Sequence, residues 1–218
     1  METDLRDVQF SNSMEEADGR IMLHVKDSVV HGAKKILIRS TDTDVVVLAV
    51  SFFHTLERLG LEELWVLYGS SQNRQFIAVH SIALVMGEGR TVALRGFHAF
   101  SGSDRTSFFT SKGKKTAWKF WSDSFTEAFK SISLPSNSVP DETTRQTLEK
   151  YIVQLYGVQD AQCITVNNAR KHLFATENKP LCLIPPTSAA LWQHILRTAY
   201  QAGQVWGRAL TLDDVPSA

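Results

Sequence analysis

The chain has 218 residues, with 23 Lys and Arg against 23 Asp and Glu, so its formal net charge is zero with histidine neutral. Hydrophobic residues make up 43% and charged ones 21%, which excludes a mainly disordered or collagenous chain, and no apolar run approaches the length of a membrane span. At this length a globular fold buries near 70% of the unfolded surface, enough for one domain or two small ones, and any nucleic-acid contact must come from a local patch because there is no global field.

The opening METDLRD carries more acid than base and no apolar h-region, which argues against a secretory leader. In SNSMEEADGRIMLHVKDSV, Ser13 and Glu16 are spaced as a capping box, after which Ala17, Ile21, Val25 and Val29 share a helical stripe that Gly32 can end. KKILIRSTDTDVVVLAV then predicts a short strand through Ile36, Leu37 and Ile38, buried on both faces as in a helix-covered parallel sheet. A helix through Val47, Leu48, Phe52 and Leu56 follows, and LEELWVLYG reads as a second strand between Gly60 and Gly69. Helix, strand, helix, strand is the grammar of an α/β domain. Beyond it, an apolar segment from Gln72 to Gly87 leads into a helix ending near Phe100, SGSD breaks it, and SKGKKTAWKFW is a turn entering a helix. LPSNSVPDE is the expected linker. Helices are expected over about 141–155 and about 188–206, the second capped by Thr187, so the second half is mostly helical. These divisions predict a core over residues 13–134 and a helical extension over 141–212. The only cysteines, Cys163 and Cys182, are too few for a disulfide framework and read as buried thiols of a reducing compartment, nucleus or cytoplasm.

Three acidic groups carry chemistry. Asp42 and Asp44 directly follow a predicted strand, at the sheet edge where ligands of open α/β folds bind; either one can equally be a turn or cap residue. Glu15, Glu16 and Asp18 open a helix, where carboxylates also complement the macrodipole. Residues two apart on a helix point about 200° apart, so Glu16 and Asp18 serve one cluster only if the helix begins there; Glu15 and Asp18 align better within it. Asp104 sits in the SGSDRT break. Carboxylates brought together repel unless a cation intervenes, and hard oxygen donors select Mg²⁺ or Mn²⁺. Between Arg105 and Lys119 there are five basic residues and no acid. There Gly113 opens a helix beside Lys112, Lys114 and Lys115, a turn able to meet a nucleic-acid backbone phosphate, and equally a solvated cationic face. The segment lacks the glycine spacing of a Walker motif. Trp118, Phe120 and Trp121 read as core rather than base-stacking residues.

In order, EEADGR, STDTDVVVLA and FSGSDRTSFFTSKGKKTAWKF resemble the acidic helix, the DxD loop, and the GxD segment with its helix-hairpin-helix in the flap-endonuclease/XPG branch of PIN-like nucleases. The resemblance covers about residues 14–122. It implies a PIN-like parallel sheet flanked by helices and metal-dependent phosphodiester hydrolysis. It maps the E-A-E pair of the family onto Glu16 and Asp18, the DxD pair onto Asp42 and Asp44, and the GxD aspartate onto Asp104. It also implies duplex or branched DNA as partner, held at Lys112, Gly113, Lys114 and Lys115, and no membrane. The chain departs from the family in having Arg105 where a tyrosine follows GxD, Ser111 or Lys112 in place of the second hairpin glycine, and no match to two earlier aspartates. That implies an amino-terminally incomplete copy or a nucleic-acid-binding or interaction protein that keeps the fold without the chemistry. Over nearly its whole length the chain is also similar to a multicopy group of animal proteins with no established activity, through EEAD, DTDVVVLA and PPTSAALWQHILRTAYQ. A third reading takes DTDVV as the DxDx[TV] of haloacid-dehalogenase-like phosphotransferases, with Asp42 as nucleophile and Asp44 as acid, although Arg39, Ser40 and Thr41 separate it from the strand.

Overall fold

A computed structural model describes residues 16–70, 73–137, 139–158, 163–175 and 178–211. Helix α1 (Ala17–Val30) buries Met22, Leu23, Val25 and Val29 and ends at His31, where Gly32 takes a positive φ of 95° that an L side chain resists. The chain then enters β1 (Lys35–Ser40), crosses through α2 (Thr43–Arg58) and returns as β2 (Glu63–Tyr68), parallel to β1 in the register Lys35↔Glu63 to Ser40↔Tyr68. The expected apolar segment divides into β3 (Gln75–Ala78) and α3 (Val79–Met86). β3 runs antiparallel to β2, so the sheet is mixed, ordered β1-β2-β3, where an all-parallel sheet was expected. The architecture is α/β, dominated by helix.

β1 is also not buried on both faces. Ile38 is buried but Leu37 is 56% exposed, because the covering helices meet the face carrying Ile38, Leu64 and Val66. On that face Met22, Leu48, Phe53, Leu56, Val79, Ala99 and Trp206 complete one apolar cluster.

Helix α4 (Glu88–Phe100) joins this layer to the helical remainder: α5 (Lys114–Phe120), α6 (Asp123–Ser131), α7 (Glu142–Leu155), α8 (Val166–Ala175) and α9 (Ser188–Ala199). Ala99 of α4 belongs to the sheet cluster, while Ala93, Phe97 and Phe100 belong to a second one with Trp121, Phe125, Phe129, Leu148, Tyr151, Leu191 and Ile195. That second cluster draws residues from both sides of the 134–141 loop. Asp141 caps α7 by accepting from Thr144 N at 2.7 Å, and Thr187 caps α9 by accepting from Ala190 N at 3.2 Å. α4 and α6 approach so closely that a Cβ added at Gly96 would lie 2.2 Å from Phe129 O. Beside them Arg95 is buried, donating to Ser51 Oγ and to Ser133 O near the end of α6; burial pushes its guanidinium down to about 10. After α9 the backbone widens into a π-helical turn over Tyr200–Val205 and tightens into a 3₁₀ turn over Trp206–Arg208. Among the described residues no helix is long and apolar enough to cross a membrane. Cys163 is buried, as expected, but Cys182 is exposed in a 3₁₀ turn rather than in the core.

Candidate functional site

The residues entering this site stand at three chain breaks. Glu16 is the N-cap of α1, in extended conformation (φ −94°, ψ 127°), and Asp18 lies in the first turn. The helix therefore begins between them, which is the condition under which both can look toward one place. Glu16 makes no side-chain cap; its carboxylate instead accepts from Gln201 Nε2 at 3.0 and 3.1 Å and lies 3.8 Å from Arg105 Nε. Ser13 and Glu15 lie outside the described residues.

Asp42 and Asp44 open α2. Asp42 is its N-cap: Oδ1 accepts from Asp44 N at 2.8 Å, and Asp42 N donates to Ser40 Oγ at 3.0 Å. The second residue of the pair faces inward, where Asp44 Oδ1 accepts from His98 Nε2 at 2.7 Å. His98 is itself buried on α4, with its ring 5.9 Å from that of Trp206. Asp104 is exposed in the turn after α4 that a Ser103–Thr106 bridge closes.

Asp18 joins these pieces. Burial first, and then the charges of Asp42, Asp44, Glu16 and Asp104, push its carboxyl up from 3.8 to about 6. All five carboxylates therefore share one electrostatic neighbourhood at the carboxyl end of β1. They do not form a cage: among the described residues no three His, Cys, Asp or Glu side chains are placed to hold one metal ion. The donors are the hard oxygens Mg²⁺ or Mn²⁺ prefers, but Glu16 is held by Gln201 and Asp44 by His98, so the set is of the right chemistry without the right closure.

The basic turn divides in the same way. Lys114 is half-buried, and its ammonium donates to His98 O at 2.8 Å, Ser101 Oγ at 3.2 Å and Gly102 O. Three acceptors match its three N–H groups, and burial pushes it down to about 8 against a smaller upward pull from Asp44. Lys112 Nζ lies 5.0 Å from the centre of the Tyr156 ring, and burial followed by Lys179 lowers it. Lys115 is exposed, and Gly113 is the N-cap of α5. Trp121 is in the core as expected, whereas Trp118 is 43% exposed and leans on Phe97 and Trp121.

His98 and Gln201 touch the acidic group and carry no motif of their own. The one trace of Gln201 in the sequence is that the segment PPTSAALWQHILRTAYQ ends on it. The chain matches no protein-family profile, no curated protein and no solved structure.

Proposed function

We propose that this chain is a divalent-metal-dependent nuclease related to the flap-endonuclease/XPG branch of PIN-like enzymes, acting on phosphodiesters of duplex or branched DNA in the nucleus or cytoplasm. The observation that carries this is the raised Asp18 carboxyl, surrounded by Glu16, Asp42, Asp44 and Asp104, the same five residues that the order of motifs nominates. A bound Mg²⁺ or Mn²⁺ would supply activation of water and stabilisation of the leaving oxygen. The chain's own contribution is electrostatic: repelling carboxylates at an open sheet edge attract a cation, and Lys115 with the Arg105 turn offers positive charge to a phosphate.

A second reading, a nucleic-acid-binding or interaction protein without the chemistry, is favoured by one specific feature. Glu16, Asp42 and Asp44 each have a protein donor, so three of the five carboxylates are held without metal. The two readings separate in one experiment, incubation of a branched DNA with the full chain in Mn²⁺ or in EDTA. Cleavage in Mn²⁺ that Asp42→Asn and Asp18→Asn abolish supports the nuclease. Salt-sensitive binding without cleavage, unchanged by those variants, supports the nucleic-acid-binding form of the second reading, and absence of both binding and cleavage overturns that form and the nuclease alike, leaving only an interaction protein.

A further inference from the structure

β1 is an edge strand whose neighbour on one side is β2 and which has no neighbour on the other among the described residues. Glu63 N donates to Lys34 O and Gly69 N to Ser40 O. In a parallel ladder alternate residues turn both backbone groups toward the same neighbour, so Ile36 and Ile38 face β2 as Lys34 and Ser40 do. Lys35, Leu37 and Arg39 therefore turn their N–H and C=O groups outward. Their side chains share the exposed face, where Leu37 stands beside Trp65, which is in turn beside Ala78, and Arg39 beside Leu67, which is in turn beside Phe76. Leu37 is 56% and Phe76 65% exposed. A parallel strand pair left bare on one face is uncommon, because such sheets are ordinarily covered on both.

Charge decides what fits. Lys35 pairs with Glu63, while Arg39 has no ionic partner among the described residues. A second copy pairing antiparallel about Leu37 would set Lys35 against Arg39 of the other chain, and like charges placed opposite each other destabilise a ladder. Lysine and arginine on an edge commonly guard it against self-association; here they flank an exposed leucine, so the edge repels itself and is open to acid.

We propose that the free edge of β1 takes up an extended acidic peptide strand, adding it to the sheet through the backbone of Lys35, Leu37 and Arg39, with an apolar residue beside Leu37 and a carboxylate beside Arg39. This is strand addition, in which the backbone supplies affinity and alternate side chains supply specificity. The inference is independent of any chemistry at the acidic group.

The test is amide hydrogen exchange on the full chain with two synthetic seven-residue peptides. In one, threonine alternates with glutamate, valine and glutamate; in the other, lysines replace the glutamates. The glutamate peptide is expected to slow exchange at Leu37 and Arg39 at least tenfold at saturation, with little effect from the lysine peptide. Arg39→Glu should invert that preference. Leu37→Pro should abolish protection while β1 stays paired to β2, since the lost N–H faces away from β2 and edge strands accept proline. If that variant fails to fold, Arg39→Glu carries the test alone. Absence of protection by the glutamate peptide, equal protection by both peptides, or protection that grows with protein concentration and needs no peptide would each overturn the proposal.

Discussion

At neutral pH Asp18 carries a charge that its surroundings resist, and this gives stability an unusual dependence on acid. Its folded pKa of about 6 lies above the ordinary 3.8. Between those values the folded state binds more protons than the unfolded one, so this group adds stability as pH falls from about 6 to about 4 and removes it as pH rises through 6. The full shift corresponds to about 3 kcal/mol, which screening by solvent at this partly exposed residue reduces to about 1 kcal/mol. Asp18→Asn should therefore raise the melting temperature by a few degrees at pH 7.5 and leave it nearly unchanged at pH 4. Asp42 separates charge from capping in a different way. Asp42→Ala removes the bond to Asp44 N and should cost about 1 kcal/mol, whereas Asp42→Asn keeps a capping oxygen and should be neutral or slightly stabilising in urea titrations. The five carboxylates stand out in the sequence because each lies at a break in hydrophobic patterning, where a helix begins or ends. His98 does not, because one histidine inside RGFHAF looks like any core-facing residue until α4 is laid against α2.

Elements were most legible where periodicity and caps agreed. α2, β2 and α7 lie where apolar spacing and Asp141 indicate, and α9 begins at the Thr187 cap but gives way after Ala199 to the π-helical turn, short of residue 206. The stretch from Gln72 to Gly87 shows only an apolar pattern in sequence because strand and helix abut at Ala78 and Val79 with no turn residue between them. The two-sided burial of β1 failed for a related reason: three successive apolar residues, Ile36 to Ile38, look alike whether one face is covered or both. The basic turn makes a sharper case, since Lys114 and Lys115 are adjacent and similar in sequence but opposite in role. Lys114 ties the start of α5 to His98 O of α4 and to Gly102 O just past its end, so Lys114→Ala should destabilise by about 2 kcal/mol. Lys115→Ala should change stability by no more than about 0.5 kcal/mol. If the turn meets DNA, it is Lys115→Ala that lowers the salt slope of binding, by close to one phosphate contact. Equilibrium unfolding and salt-dependent binding, measured on both variants, read these out separately.

Across the whole molecule, the 134–141 loop, which its composition marks as a linker, does not separate independent cores. Phe97, Phe100 and Phe129 before it pack in one cluster with Leu148, Tyr151 and Ile195 after it, and Trp206 lies among the residues that cover the sheet. A chain ending at residue 134 would leave those aromatic faces in water and lose Trp206 from the sheet layer. Such a truncation should show no cooperative thermal transition by circular dichroism, while the full chain melts with coincident near- and far-ultraviolet signals. Two cooperative units in the full chain would contradict this. Composition locates the loop correctly but says nothing about packing across it, because contacts between distant segments leave no local pattern.

The bond from Gln201 to Glu16 spans 185 positions, and Lys26 donates to Leu210 O across 184. During synthesis Glu16 emerges 185 positions ahead of the amide that holds it. At about 5–20 residues per second, the ribosome needs roughly ten to forty seconds to make the chain between them. Throughout that interval the nascent chain carries its carboxylates without the contact that orders Glu16, so the acidic group reaches its finished arrangement only after Gln201 has emerged.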